Sequence, residues 1–321
     1  NAMTAPDKTV YPVASCNEKD FQNLMHVYLD AVFYPNIYQE EKIFMQEGWH
    51  YELEKPEGPL KYNGVVYNEM RGAYSSPEQL MERKIQQSLF PDTTYGFESG
   101  GDPENIPDLT YQQYLDFHKK YYHPSNSYIY LYGDMDMAEK LKWIDEKYLR
   151  HFDYLEVDSE VKRQKAFDAP KEMKVYYSLT EGESEEDKTY FSYNAVTSTS
   201  LDRDLYIAFQ VLNYVLVQGV GAPVKQALLD AGIGSEIISF FEESICQPVF
   251  SIIAKNVADD KKDQFVAVIR EKLEELVEQG INRDSLNAGL NSLEFRYREA
   301  DFGSYPKGLM YGLQIFDSWL Y

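Results

Sequence analysis

Among the side chains able to do chemistry, one carboxylate stands apart. Glu69 lies within Gly64-Val65-Val66-Tyr67-Asn68-Glu69-Met70-Arg71-Gly72. Read as a helix, this stretch places Val65, Val66 and Met70 near one face with Glu69 beside them. A carboxylate on a mostly apolar stripe is costly to bury unless it is paired, hydrogen-bonded or bound to a metal. From spacing alone, the plainer reading is an exposed Glu at the rim of a core helix. Glu47, close to Trp49, is a second carboxylate of this kind, and an exposed helix residue accounts for it too. The five His residues are 26, 50, 118, 123 and 151. None falls in H-x-x-E-H, H-E-x-x-H or any i, i+4 pair that could share a helical face toward a metal. His118 and His123 are five apart and Pro124 breaks that helix, so the His residues read as structural. No G-x-S-x-G elbow, C-x-x-C pair or basic-aromatic nucleic-acid motif occurs. Gly219-Val220-Gly221 lacks the third glycine of a phosphate loop and reads as a turn between helices.

The elements that must position Glu69 belong to a chain of 321 residues, long enough for about two domains. Hydrophobic content of 44% is that of a folded protein. Against 53 Asp and Glu stand 31 Lys and Arg, a formal charge of -22 that disfavours nucleic acid phosphates and anionic membranes and favours basic partners. Cys16 and Cys246 are too few for a disulfide framework and suit a reducing compartment. No apolar run approaches the roughly 20 residues of a membrane span, and no signal peptide opens the sequence. These features read as a cytoplasmic protein.

Along the chain, Asn17 is placed to cap a helix whose apolar stripe includes Phe21, Leu24, Met25, Tyr28 and Val32, ended by Pro35. A shorter helical piece holds Phe44, Met45, Glu47 and Trp49. Ser76-Pro77-Glu78-Gln79 and Thr110-Tyr111-Gln112-Gln113 read as capping boxes. Strands are expected over residues 128–132, 174–179, 189–196, 236–241 and 249–256. Helices are expected over 201–217, from Phe265 to a stop at Gly280, and from about Asp284. Residues 153–171 mix charges with few periodic apolar positions and read as a linker. The fold class is therefore α+β: two similar domains, each an antiparallel sheet packed with helices.

Several ungapped blocks resemble the presequence-protease branch of the insulinase-type zinc metallopeptidases, which are inverted zincins. They are Val65-Val66-Tyr67-Asn68-Glu69-Met70-Arg71-Gly72 with Tyr74-Ser75-Ser76-Pro77, Leu89-Phe90-Pro91-Asp92, Ser99-Gly100-Gly101-Asp102-Pro103 and His123-Pro124-Ser125-Asn126. The likeness is weaker over residues 172–321, where Arg298-Glu299 and Pro306-Lys307-Gly308-Leu309 carry it. The resemblance implies a zinc metalloendopeptidase that degrades short unstructured peptides in a closed chamber. An H-x-x-E-H helix supplies two His ligands and the base, and a later Glu completes the site; the matching position is Glu69. It also implies that Glu69 faces a cleft near residues 4–10, that residues 1–152 hold most of the zinc-site domain, and that residues 172–321 hold most of the second. Asn1-Ala2-Met3-Thr4 matches the family's N-A-x-T edge strand, which makes Asn1 and Ala2 substrate-binding candidates; the same residues also read as an expression remnant. No catalytic residue is assigned in this chain, and Zn would need ligands from outside it. The implied partners are unstructured, basic peptides and the remaining domains of a longer peptidase. The alternative is a non-catalytic peptide-binding or assembly module of the same family.

Overall fold

A computed structural model describes residues 2–300 and 302–321, and the chain divides into two compact units. The first comprises residues 1–177 with 308–312, and the second residues 178–307 with 313–321. The division falls a few residues beyond the linker expected at 153–171.

In the first unit, β1 (Met3–Thr4) and β2 (Thr9–Val10) form a small antiparallel hairpin. Helix α1 (Glu18–Phe33) follows, with the Asn17 side chain accepting from the Asp20 amide at 2.9 Å. Tyr34 closes α1 immediately before Pro35, whose predecessor avoids helical dihedrals. Next come α2 (Glu41–Glu47) and a second hairpin, β3 (His50–Glu52) with β4 (Lys61–Asn63). Trp49 lies beyond the end of α2, not within it. The hairpin leads directly into α3 (Val65–Ala73), and α4 (Pro77–Leu89) starts from Ser76 with proline in its first turn. Helix α5 (Tyr111–Tyr121) carries a full capping box between Thr110 and Gln113, and α6 (Met137–Lys147) packs with α1. The Tyr148 ring there is almost fully buried and its hydroxyl donates to the His26 carbonyl at 3.1 Å.

The second unit contains β5 (Thr189–Val196), α7 (Arg203–Asn213), α8 (Pro223–Asp230), β6 (Glu236–Glu242), β7 (Val249–Val257), α9 (Lys262–Gln279) and α10 (Arg283–Glu299). A last helix, α11 (Lys307–Trp319), has residues assigned to both units. Strand β7 is central, antiparallel to β5 on one side and β6 on the other. Alternate β7 residues Phe250, Ile252 and Ala254 face a core shared with Val224, Leu228, Phe265 and Ile269. Each of the Val, Leu, Ile and Phe side chains, withdrawn from water, contributes about 1.5–3 kcal/mol, and Ala254 less. Gly280 at φ +82 ends α9, since the left-handed conformation it adopts suits a residue with no Cβ.

The α+β class holds, with antiparallel pairing throughout, but the first unit differs from a sheet-and-helix repeat. Among the described residues its strands form two separate pairs. The strands expected over 128–132 and 174–179 have no ladder partner among the described residues. Alternating apolar residues favour an extended backbone, yet a strand exists only as half of a hydrogen-bonded pair. The helix expected over 201–217 is α7 followed by a wider π-type turn, Tyr214–Gln218. The stretch Arg203–Asp230 is long and apolar enough to cross a membrane by length and composition, contrary to the expectation that no run came close. The helix is interrupted at Gly219, however, and Val215, Leu216, Val217, Val224 and Leu228 lie in the protein core.

Leu228, with no exposed surface, tests which side chains carry the second unit. Leu228→Ala should cost about 2–5 kcal/mol in chemical denaturation. Val277→Ala, at a position 86% exposed on α9, should stay within about 0.5 kcal/mol.

Candidate functional site

The placement of Glu69 begins at the β3–β4 hairpin. Asn63, the last residue of β4, accepts from the Gly64 amide at 2.8 Å and from the Asn68 side chain at 2.6 Å. Its own amide donates to Glu52 across the hairpin at 2.8 Å. One side chain thus ties both strands to the first turn of α3. Gly64 itself sits at φ +151, and a Cβ there would lie 2.2 Å from the Gly48 carbonyl oxygen. The Gly48 carbonyl also accepts from the Tyr67 amide at 3.3 Å. Backbone meets backbone at this point, so only glycine fits.

The underside of α3 is held by the turn-rich segment that follows α4. Met70 is buried, and a Cβ on Gly100 would lie 2.4 Å from its sulfur. Arg83 pairs with Glu98 at 2.6 Å, both side chains largely buried, and its guanidinium lies 4.2 Å from the centre of the Tyr74 ring. Burial, and then the charge of Asp102, pushes the Tyr74 hydroxyl up to about 12. Glu69 points the other way. It is exposed on α3, and no hydrogen bond or ion pair reaches its carboxylate among the described residues. The helix stripe read from sequence is split accordingly. Met70 turns inward, whereas Val65 and Val66 remain 52% and 37% exposed beside Glu69.

The N-terminal hairpin is anchored by a buried carboxylate. The Asp7 side chain is only 1% exposed; it accepts from the Tyr95 hydroxyl at 2.6 Å and pairs with Lys8 at 3.4 Å. Tyr95 has no exposed surface and packs edge-on to Phe90 at 5.2 Å. Phe90 thus backs the ring that holds the hairpin turn. Tyr11 adds a second anchor through its hydroxyl bond to Tyr122 at 2.9 Å, and burial raises its pKa. Strand β1 pairs with β2 on one side only, so among the described residues its other edge is open. Ala2 precedes that strand and is exposed, lining a shallow cleft with Tyr11, Val27 and Tyr28. Asn1 lies outside the described residues.

The histidines are engaged separately. His50 Nδ1 bonds the Met45 carbonyl at 2.7 Å, and the His123 ring nitrogen accepts from the Ser125 amide at 3.1 Å. His26 packs edge-on to Trp143. His118 bridges α5 to the end of α1: its Nε2 is 2.9 Å from the Val32 carbonyl and its Nδ1 is 2.8 Å from the Tyr38 hydroxyl. A carbonyl can only accept, so Nε2 carries the proton and neutral Nδ1 accepts from Tyr38. Burial holds the imidazole below its ordinary value. Among the described residues, no three His, Cys, Asp or Glu side chains converge on a point able to hold a metal. One carboxylate does not make a zinc site, which takes at least three protein ligands.

Sequence reasoning missed the bond between Asp7 and Tyr95, although both residues stand in family-like blocks. It also missed the packing of Trp49 with Tyr51 and Tyr62, with ring centres 5.5 and 5.8 Å away. The alternating aromatics at 49 and 51, opposite Tyr62 in a hairpin, were the available signal.

A family model described as the Peptidase M16 inactive domain matches residues 108–293. The chain belongs to the M16 peptidase family. It is 54% identical over 321 residues to Protein HypA of Clostridium perfringens, covering all of this chain and 33% of that protein. It is 39% identical over 325 residues to Presequence protease 1, chloroplastic/mitochondrial, of Arabidopsis thaliana, covering 100% of this chain and 30% of that one. It therefore spans about a third of the length of these curated relatives. Among solved structures, the peptidase M16 inactive domain from Pseudomonas fluorescens superposes with a TM-score of 0.55 at 18% identity, over 80% of this chain and 60% of that chain. That likeness concerns the fold. M16 peptidases are zinc-dependent hydrolases, and among the described residues of this chain no set comes together that fits the metal.

Two outcomes test this geometry. Gly64→Ala should destabilise the first unit by about 2–4 kcal/mol in chemical denaturation, because both its dihedral and its Cβ are refused. The second concerns His118, whose folded pKa lies below the unfolded value of about 6.5. The unfolded chain then binds the proton more readily, so the stabilisation is complete above about pH 6.5 and is lost as pH falls through the folded pKa. Denaturation midpoints at pH 7.5 and 5.5 should therefore differ less in His118→Gln than in the wild type.

Proposed function

We propose that this chain contributes Glu69 as the third, carboxylate ligand of the zinc centre of an M16 metalloendopeptidase. Two His ligands and the general base would come from outside residues 1–321. In this reading residues 1–152 form most of the zinc-site domain and residues 172–321 most of a second, homologous domain. The assembled enzyme would degrade short unstructured peptides within a closed chamber. The observation that carries the reading is an exposed Glu69, free of any partner among the described residues, on a helix whose start is fixed by Asn63 and Gly64. A ligand kept for a metal completed from elsewhere must be rigidly based and unpaired at its carboxylate. The open edge of β1, with Ala2 and Asn1 before it, suits strand addition by an extended peptide. The formal charge of -22 favours basic peptides over acidic ones.

A second reading rests on the family model that matches, which is that of the inactive domain. In that reading the chain is a non-catalytic peptide-binding or assembly module, and Glu69 is an exposed surface residue.

The two are separated by joining the chain to a segment bearing H-x-x-E-H, then measuring zinc by elemental analysis and hydrolysis of a fluorogenic basic peptide. Glu69→Gln should lower zinc occupancy and turnover together. The loss should exceed the roughly 10–100-fold effect of altering a partner that merely orients a ligand. The isolated chain should hold little zinc and show no chelator-sensitive cleavage. Undiminished zinc and turnover in Glu69→Gln would reject the ligand role and favour the module.

A further inference from the structure

The first unit carries a second feature that the zinc reading does not use. Between the end of α2, the β3–β4 hairpin and the start of α5 lies an open cleft. Its walls are Phe44, Trp49, Tyr51 and Tyr111, and the carboxylates of Glu41 and Asp108 stand at its rim. The aromatic rings are positioned before any ligand arrives. Trp49 Nε1 donates to the Leu109 carbonyl at 2.9 Å, which fixes the indole. Tyr51 and Tyr62 lie 5.3 Å apart at 31°, and both meet Trp49 edge-on. The Tyr111 hydroxyl donates to the Ile37 carbonyl and its ring packs against Phe44.

Such rings would ordinarily be covered. Tyr51 is 59% and Tyr62 41% exposed, while smaller apolar side chains of the same unit are fully buried. Neither Glu41 nor Asp108 forms an ion pair among the described residues, and the nearby Lys61 is engaged by Glu54 at 3.0 Å. The two carboxylates place a negative potential beside the ring faces. An aromatic face next to an unpaired carboxylate is complementary to an organic cation, because the ring quadrupole and the charge attract the same group. A neutral apolar side chain would use the rings but leave both carboxylates unanswered. An anionic one would be repelled.

We propose that this cleft is a contact site for an arginine or lysine side chain of a bound peptide, separate from Glu69. It rests on peptide binding by the chain but not on zinc. Its occupant is a cationic peptide side chain, chosen over apolar and acidic ones by the two rim carboxylates. The site would hold a peptide by a residue away from any bond being cleaved, adding affinity without touching the reacting atoms.

The test uses the whole 321-residue chain and a fluorescein-labelled peptide of alternating arginine and alanine, read by fluorescence anisotropy at low salt. A peptide with glutamine in place of arginine is the uncharged comparison. Tyr51→Leu and Asp108→Asn, both at exposed positions, should each weaken the arginine peptide by roughly five-fold and leave the glutamine peptide unchanged. Tyr51→Phe keeps the ring face and should bind as the wild type does. Glu69→Gln should also bind this peptide normally, so failure of the zinc reading and failure of this one give different results. Equal binding of the two peptides, wild-type affinity in both Tyr51→Leu and Asp108→Asn, or loss in Tyr51→Phe as large as in Tyr51→Leu would overturn the proposal.

Discussion

The close approach of backbone at Gly48 and Gly64 is the constraint on which the first unit's site depends. With no Cβ between them, the exit of β4 lies against the end of α2, and the Gly48 carbonyl receives an amide from the first turn of α3. Asn63 then spends both acceptor sites and one of its two donors at the same junction. The result is a helix whose start is determined on both sides before its side chains pack. Met70 follows inward beneath Gly100, and that choice of face leaves Glu69, Val65 and Val66 outside. The position of one carboxylate is thus a consequence of two glycines and one asparagine.

Buried polar groups serve as anchors in both units, and they are paired as low dielectric demands. Asp7 is withdrawn from water almost completely, which is tolerable because Tyr95 and Lys8 answer it. In the second unit Gln210 donates to Glu243 and accepts from the Tyr297 hydroxyl at 3.2 Å. Burial nevertheless pushes the Glu243 carboxyl up, because a neutral amide compensates only part of what water supplied. The same node raises Tyr206, by burial first and then by Glu243. These groups fix the helices and strands they join, whereas the apolar core around β7 supplies the driving force.

Membership of the M16 family and the geometry of Glu69 bear on different questions. The family places a hydrolase chemistry on the relatives, and this chain spans about a third of their length. Within the chain, His26, His50, His118 and His123 are each committed to a carbonyl, a hydroxyl, an amide or a ring. His118 illustrates why. Its two nitrogens complete a link between α5 and the end of α1, so the imidazole is part of the framework.

Much of the local structure was legible in the sequence because local rules governed it. Asn17, Ser76 and Thr110 cap their helices, Pro35 and Gly280 mark helix ends, and the strands expected near residues 236–241 and 249–256 form β6 and β7. Glu69 on a helix was likewise readable, as were the blocks that identify the family. Tertiary structure decided the rest. Residues 128–132 and 174–179 carry strand-like sequence, but pairing is a property of two segments and neither has a partner among the described residues. Val65 and Met70 are both apolar, yet only Met70 turned inward, where the segment around Gly100 covers it. Asp7 and Tyr95 are 88 positions apart, so nothing local announced their bond. Periodicity and caps act over a few residues and can be read in order; burial, pairing and the desolvation of charge depend on what the fold brings alongside.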